Sequence, residues 1–201
     1  TVSTGYGRRM LDVADRIITE ITCHARGAVH MVPGVRMVID IGGQDSKVIR
    51  LNERGEVQDF AMNDKCAAGT GRFLEVMAHA LEVDLSEMAS ISERASRSAP
   101  ISSMCTVFAE SEVVSLIAQG VPREEIISGL HEAIAGRTAG MVFRVGLEKE
   151  VMMTGGVAKN RGVVKSLEKK LQCKIIVPPE PQIIGALGAA LLAREELERS
   201  R

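Results

Sequence analysis

The stretch VRMVIDIGGQDSKVIRL, residues 35–51, decides the fold class of this 201-residue chain. Residues 35–41 form a mostly apolar, β-branched run typical of a buried strand, and residues 46–51 form another. A polar turn at residues 52–55 then leads into a third strand-like segment over residues 56–62. Because consecutive strands joined by short turns pair antiparallel, the sequence predicts a three-stranded β-meander.

The rest of the chain adds helices and two further strands, which indicates a mixed α/β domain. Before the meander we expect a helix that reaches about His30, with Ile17, Ile18, Ile21 and Ala25 on one face. After it, helices are predicted over residues 71–81, 85–95, 110–119, 123–144, 160–172 and 183–198, and strands over residues 151–154 and 174–177. The last helix opens with GALGAA, whose small residues permit close packing.

Composition excludes several classes of function. The chain is 45% hydrophobic and 25% charged, as expected of a domain with a packed core. Its net charge is −1 and it has one Tyr, four Phe and no Trp, so neither a basic surface nor stacking side chains favour nucleic-acid binding. Because no apolar run reaches membrane-spanning length, we expect no membrane segment and a cytoplasmic protein.

The first candidate site is the segment DIGGQDSK, residues 40–47, between two strands. Glycines allow the backbone to approach a phosphate, and Asp40 at the end of a buried strand could hold a Mg²⁺-bound water. Gln44 or Asp45 could orient an attacking water. The alternative is a plain Gly-Gly hairpin with polar residues at its tip.

A second candidate is MTGGVAKN, residues 153–160, where a strand runs through Gly-Gly into a helix. The start of that helix suits an anion, and the glycines would admit a flat ring or a ribose. Such joints are common in α/β folds, and the sequence contains neither the Rossmann nor the Walker A pattern. A nucleotide would therefore need a different cradle.

Four cysteines, at positions 23, 66, 105 and 173, are too few and too widely spaced for a disulfide framework. No C-x-x-C pair occurs, so any metal centre needs cysteines that the fold or a second chain brings together. Cys66 stands before a glycine-rich turn and the start of a helix, whose dipole favours a thiolate or an anionic thiolate–metal cluster. The alternative is a helix cap with an incidental cysteine. Residues 101–109, which include Cys105, are predicted to be extended.

The order of these motifs, followed by the GALGAA helix, resembles the actin, Hsp70 and sugar-kinase superfamily with its ribonuclease H-like ATPase fold. Two segments narrow the resemblance, NDKCAAGTGRF at residues 63–73 and SMCTVFAESE at residues 103–112. They are similar to activators of 2-hydroxyacyl-CoA dehydratases, a family that also holds the ATPase subunits of benzoyl-CoA reductase. The resemblance extends from residues 4–8 to the final helix.

The resemblance implies an ATP-driven one-electron donor that works as a homodimer. Each subunit would supply Cys66 and Cys105 to one shared 4Fe–4S cluster, with the helix behind Cys66 pointing its positive end at it. The electron would come from a ferredoxin or flavodoxin and go to the dehydratase. Cys23 and Cys173 match no motif position, and the four histidines are assigned no role.

The resemblance also implies the residues that bind ATP or ADP with Mg²⁺. Asp40 and Gln44 would be catalytic, and Glu110, with Glu112, would contact ribose or adenine or else lie on a solvated helix face. Phosphate contacts are expected from Gly42, Gly43, Asp45, Ser46 and Lys47, and adenosine contacts from Gly155, Gly156, Ala158 and Asn160.

Three parts of the fold are expected from the same resemblance. Residues 1–36 would be the remnant of a first subdomain with a connecting helix, residues 37–182 a second nucleotide-binding subdomain, and residues 183–201 a second connecting helix with a tail. Relatives carry a first phosphate loop that would precede Thr1, so we expect the N-terminal part of the first subdomain, and half of the phosphate clamp, to be absent. Two other functions stay open beside that of a dehydratase activator. The chain could be an ATPase subunit of a benzoyl-CoA reductase-type complex, or a nucleotide-binding module of the sugar-kinase or Hsp70 type without a cluster.

Overall fold

A mixed β-sheet lies at the centre of the computed structural model, which describes residues 1–102 and 105–199. The strands of this sheet are β3 (Met37–Ile41), β4 (Ser46–Leu51), β5 (Val57–Asn63), β6 (Val151–Thr154) and β7 (Ile175–Ile176). Their order is β5-β4-β3-β6-β7. The antiparallel meander of β3, β4 and β5 is confirmed, and β6 and β7 extend the sheet in parallel from β3. The ends of β3 and β6 therefore lie side by side, each followed by Gly-Gly.

Helices cover both faces of the sheet. They are α1 (Glu20–Met31), α2 (Gly71–Ala80), α3 (Met88–Ser92), α4 (Thr106–Ala118), α5 (Arg123–Val145), α6 (Arg161–Leu171) and α7 (Ile184–Arg199). Successive residues of β3 point to opposite faces, which explains why the whole strand is apolar apart from Asp40. One core contains Ile39 with side chains of α2, α5 and α6, and the other contains Val38 with side chains of α1 and α7. In residues 1–102 and 105–199, no helix is long and apolar enough to cross a membrane.

Helices α1 and α7 cross at glycines, as the GALGAA segment predicts. A Cβ on Gly188 would lie 1.7 Å from the carbonyl oxygen of Cys23, and one on Gly27 would lie 2.2 Å from that of Ile184. The two backbones therefore touch without intervening side chains. The division of the chain at residues 36/37 and 182/183 stays a prediction, although β3 and α7 begin near those positions.

Two predicted elements were wrong in part. The first helix begins only at Glu20, after Thr19, whose hydroxyl accepts a hydrogen bond from the Thr22 N–H, and Ile17 lies instead in a short strand. That strand, β2 (Arg16–Ile17), pairs in parallel with β1 (Val2–Ser3). The extended segment predicted over residues 101–109 is helical from Thr106 onward, and Ser103 and Met104 lie outside the described residues.

Candidate functional site

A cleft of about 910 Å³ opens where β3 and β6 end. Parallel strands present their carboxyl ends at one edge of a sheet, and ligands of α/β proteins bind there. A Cβ on Gly43 would meet no atom within 4 Å, so this part of the glycine loop, residues 42–45, borders open space. The size and the bare backbone fit a nucleotide. The cleft is lined by the predicted residues Asp40, Gly42, Gly43, Gln44, Asp45, Lys47, Gly155, Gly156 and Asn160.

Asp40 lies on the floor of the cleft and is 4% exposed. Its Oδ1 accepts a hydrogen bond from the Thr154 hydroxyl at 2.8 Å and lies 3.2 Å from His24 Nε2. Burial by itself would raise the pKa of Asp40, but His24 above all, and then Lys47 and Thr154, outweigh burial and hold that pKa well below its ordinary value. Asp40 is therefore ionised and fixed in orientation.

The ammonium of Lys47 is buried between three carboxylates. Its Nζ lies 2.7 Å from Asp45 Oδ1, 3.4 Å from Asp40 Oδ2 and 3.6 Å from Glu20 Oε2. Burial favours the neutral amine, but the three carboxylates raise the pKa of Lys47 above its ordinary value, so it stays charged. Even with His24 protonated, three negative charges face two positive ones. This excess favours a phosphate that arrives with a divalent cation.

His24 was missed by the sequence reasoning, which assigned it no role. Its Nδ1 bonds to the Glu20 carbonyl at 3.0 Å, which turns Nε2 toward Asp40. Burial lowers the pKa of His24, but the hydrogen bond and charge of Asp40 outweigh burial and raise it. The ring also fills the space beside Gly185 of α7, where a Cβ would lie 2.9 Å from Cε1. The spacing of Glu20 and His24, four residues apart on one helical face, was the available signal.

Asn160 caps α6 at the rim of the cleft. Its Oδ1 accepts from the N–H groups of Gly162 and Val163 at 3.0 and 3.2 Å. Its Nδ2 donates to His131 Nε2 at 3.1 Å, because burial lowers the pKa of His131 to about 4 and keeps the ring neutral. Both ends of the Asn160 amide are thus fixed, and His131, also missed by the sequence reasoning, fixes one of them.

Three predicted nucleotide contacts do not reach the cleft. Ser46 points to the opposite side of β4 from Lys47, and its hydroxyl donates to Met141 Sδ at 3.9 Å. Ala158 is 3% exposed and packs into the core from the 3-10 turn Gly156–Lys159. Glu110 lies on the exposed face of α4. Lining residues that the sequence did not predict are Tyr6, Glu20, His24, Gly71, Leu74, Glu75, Asp84, Leu85, Ser86, Val157, Lys159 and Gln182.

Cys66 and Cys105 lie just before two helices, α2 and α4, that pack against each other. Cys105 is the cap residue of α4, and both cysteines are free and partly exposed. Burial raises the pKa of the other two thiols, Cys23 and Cys173, which disfavours the thiolate form that binds metal. Over residues 1–102 and 105–199, no group of three or more His, Cys, Asp and Glu side chains could hold a metal ion. Two thiols fit a four-cysteine cluster only as half of a set shared between two chains.

The start of α2 is bonded to the glycine loop. The N–H of Gly71 donates to the carbonyl of Gly42 at 2.7 Å, and the N–H of Arg72 donates to that of Gly43 at 2.9 Å. A Cβ on Gly71 would lie 3.2 Å from both Gly42 O and Gly43 Cα, so the contact is close. That this helix points its positive end at a cluster stays a prediction, and two of the N–H groups at its start are bonded to the glycine loop.

Comparison with known proteins places these features in one family. The activator of lactoyl-CoA dehydratase from Anaerotignum propionicum is 57% identical over 199 residues, which are 99% of this chain and 77% of that protein. The (R)-2-hydroxyglutaryl-CoA dehydratase activating ATPase of Acidaminococcus fermentans is 52% identical over 194 residues, 96% of this chain and 74% of that protein.

A solved structure agrees with the sequence matches. The activator of the 2-hydroxyisocaproyl-CoA dehydratase from Clostridium difficile with bound ADPNP superposes with a TM-score of 0.95 at 50% identity, covering 99% of this chain and 74% of that one. The predicted ATPase fold of the actin and Hsp70 type is confirmed. A sequence model of one family matches residues 1–193. The chain belongs to that family, the BadF/BadG/BcrA/BcrD ATPase family.

Proposed function

We propose that the chain acts as an ATP-dependent activator that passes single electrons to a cytoplasmic 2-hydroxyacyl-CoA dehydratase. Two relatives that are 57% and 52% identical carry names of such activators, which supports the class of partner. The working form would be a homodimer, and a ferredoxin or flavodoxin would restore the electron after each transfer. Nucleotide binding in the cleft and a cluster at the cysteines are the two halves of this proposal.

In the nucleotide half, each residue has a role that its position supports. Asp40, ionised on the floor, would hold a water of the Mg²⁺ ion that accompanies the phosphates. Gln44, on the cleft wall, would orient the attacking water, while the bare backbone of Gly43 lets a phosphate approach. Lys47 is locked by Asp45, so it would lower the negative charge of the floor rather than reach out to a phosphate.

On the adenosine side, the joint after β6 offers backbone instead of side chains. Gly155 has φ +84°, and a Cβ there would lie 2.3 Å from the Ile41 carbonyl, so only glycine fits this turn between the two strand ends. Gly156 and the fixed amide of Asn160 continue the same wall. A flat ring or ribose would lie against this surface.

In the cluster half, two copies of the chain would each supply Cys66 and Cys105. A bound 4Fe–4S cluster would supply one-electron transfer. Both thiols are partly exposed, so they are accessible to a second copy, and neither forms a disulfide.

The observation that carries the proposal is the pair of hydrogen bonds between the glycine loop and the start of α2. Cys66 lies five residues before Gly71, so the proposed phosphate loop and a proposed cluster ligand are joined through one short backbone segment. A nucleotide-binding module without a redox centre has no need for thiols at this position. The join would give bound ATP a physical route to a cluster held at Cys66.

The cluster half is tested by anaerobic reconstitution followed by iron and sulfide analysis. We expect about two iron and two sulfide ions per chain, one cluster per dimer. Cys66→Ser and Cys105→Ser should lose the cluster, and Cys173→Ser, which removes a thiol outside the pair, should keep it. A serine variant of Cys66 or Cys105 with a full, equally stable cluster would contradict the ligand assignment. A wild-type protein without iron would favour the cluster-free nucleotide-binding module. A native mass that shows a stable hetero-oligomer would favour a subunit of a benzoyl-CoA reductase-type complex.

The nucleotide half is tested by calorimetry with Mg·ADP. Gly43→Val places two methyl groups in open space of the cleft and should abolish binding. Gly7→Val is the matched control, since a Cβ there also meets no atom within 4 Å but Gly7 lies outside the cleft lining. Equal affinity of the two variants would refute the assigned cleft.

A further inference from the structure

The segment between β5 and α2, residues 64–70, contains Cys66 and is named here the cysteine loop. Both of its ends are attached to the glycine loop. At its start, Asn63 pairs with Ser46, the residue that follows the glycine loop. At its end, Gly71 and Arg72 donate to the carbonyls of residues 42 and 43. The two loops, together with the hydrogen-bonded strands β4 and β5, therefore form a closed ring.

Two side chains hold the backbone of the cysteine loop from within. Asn63 Nδ2 donates to the carbonyl of Cys66 at 2.9 Å and to that of Ala68 at 3.3 Å. Thr70 is fully buried and donates to the carbonyl between them, that of Ala67, from its hydroxyl at 2.7 Å and from its N–H at 3.0 Å. Three successive carbonyls are thus bound, and Asn63 binds two of them with one amide.

We propose that Asn63 is the positioning residue of Cys66, and that its amide transmits ligand binding in the cleft to the Cys66 thiol. The second part rests on the proposed function, because it takes the ligand to be a nucleotide at the glycine loop. Among the side-chain types that fit this position, an amide donates two hydrogen bonds, whereas a carboxylate donates none and repels the carbonyls. Asn63→Asp would therefore remove two of the three side-chain hydrogen bonds that hold the loop.

The ring gives a shift of the glycine loop a direct path to the cysteine loop. Gly71 lies directly against the glycine loop, since its N–H donates to the Gly42 carbonyl at 2.7 Å. A shift of the glycine loop must therefore move the start of α2 or break the two hydrogen bonds that join them. With Asn63 in place, the cysteine loop moves as one piece; without it, the loop absorbs the shift and Cys66 does not respond.

The test measures the rate at which iodoacetamide alkylates each cysteine of the cluster-free chain, with the sites resolved by peptide mass spectrometry. Asn63→Asp should raise the Cys66 rate about thirtyfold, the increase in opening expected when two hydrogen bonds, together about 2 kcal/mol, are lost. Asn52→Asp is the matched control in an exposed turn. A carboxylate oxygen can still accept from the N–H groups of Arg54 and Glu56, and only the exposed bond from Asn52 Nδ2 to Glu56 Oε2 is lost. The control should leave the Cys66 rate unchanged.

The change in the Cys66 alkylation rate on adding Mg·ADP separates transmission from a purely structural role of Asn63. In wild type it should change the Cys66 rate about twofold or more, an effect of about 0.4 kcal/mol. Asn63→Asp should abolish the change while calorimetry still detects binding. An unaltered Cys66 rate in nucleotide-free Asn63→Asp would overturn the positioning role, and a wild-type response to Mg·ADP in that variant would overturn transmission. If wild type does not bind Mg·ADP, the nucleotide half of the proposed function is refuted, and transmission with it. The positioning role of Asn63 is then still decided by the Cys66 alkylation rates measured without nucleotide.

Cys23, which is fully buried, reports on the folding of each variant in the same experiment. If Cys23 becomes reactive in Asn63→Asp, the same comparison is made with Asn63→Ala, which removes both amide donors without adding a charge. That variant should raise the Cys66 rate and leave the Cys173 rate as in wild type. An unchanged Cys66 rate in folded Asn63→Ala would then overturn the positioning role.

Discussion

Acid should destabilise the folded chain through the imidazole of His131. The ring is 1% exposed, and burial lowers its pKa to about 4 from the ordinary 6.5. Between these two values the unfolded chain binds a proton that the folded chain does not, so the free energy of unfolding falls as the pH falls. Stability from this group is complete above pH 6.5 and is lost progressively toward pH 4. Protonation would also place a second donor opposite Asn160 Nδ2, at the rim of the cleft.

The magnitude follows from the two pKa values. Their difference corresponds to about 3 kcal/mol once the pH is below both. Integrated from about pH 7.5 to about pH 5, the loss is about 2 kcal/mol. His24 acts in the opposite direction, because its pKa is raised in the folded chain and its contribution is lost as the pH rises. The effect of His131 is therefore measured as a difference between wild type and a variant at each pH.

The variant is His131→Gln, whose side-chain oxygen can still accept from Asn160 but does not titrate. Urea unfolding near pH 7.5 should find it less stable than wild type, since the ring packs against Gly162, and near pH 5 the gap should shrink by about 2 kcal/mol. His79→Gln removes an exposed imidazole from α2 and serves as the matched control. A His131→Gln gap that stays constant within about 0.5 kcal/mol across this range would refute the reasoning.

Two further outcomes follow from close contacts in the structure. Gly188→Ala should lower the free energy of unfolding by about 3 kcal/mol or more, because its Cβ would lie 1.7 Å from the Cys23 carbonyl oxygen. Gly140→Ala is the control, since a Cβ there meets open space, and it should be neutral or stabilise the fold by up to about 1 kcal/mol. Similar urea midpoints for the two variants would contradict the close helix crossing. Asp40→Asn should move the pKa of His24 from above to below its ordinary value, since burial then acts without the opposing charge; an NMR titration that finds the raised value retained would show that another group is responsible.

The local parts of the fold were predictable from sequence, and the long-range parts were not. The meander depends on β-branched runs and short turns, and both signals lie within residues 35–62. The pairing of β6 with β3 joins segments more than one hundred residues apart, and the sequence of neither strand indicates which strand it pairs with. Residues 106–109 belong to the segment 101–109 that was predicted to be extended, and Val107 and Phe108 are residue types that favour strands. In the structure both are exposed on α4, whose buried side chains are Ala109 and Val113.

The same division applies to the candidate site. Asp40 and the glycine loop were predictable because they form one continuous motif whose spacing has a chemical meaning. His24 and His131 were not, because each acts on a residue of another element, Asp40 in one case and Asn160 in the other. A single histidine forms no motif, because a motif is recognised by the spacing between two or more functional residues. Ser46 was predicted by adjacency to Lys47, but adjacent residues of a strand point to opposite faces.

The start of α2 changes how the cleft and the cysteines are connected. The sequence favoured a helix dipole acting on a thiolate or cluster, an effect that salt screens and that needs unpaired N–H groups. In the structure the N–H groups of Gly71 and Arg72 donate to carbonyls of the glycine loop, so these two groups are not available to a thiolate or cluster. What remains between the two sites is a short-range mechanical connection, closed on its other side by the pairing of Asn63 with Ser46. A short-range connection of this kind does not depend on salt as a dipole field does, so a response of Cys66 to ligand that is unchanged between low and high salt would favour the hydrogen-bonded connection over the dipole.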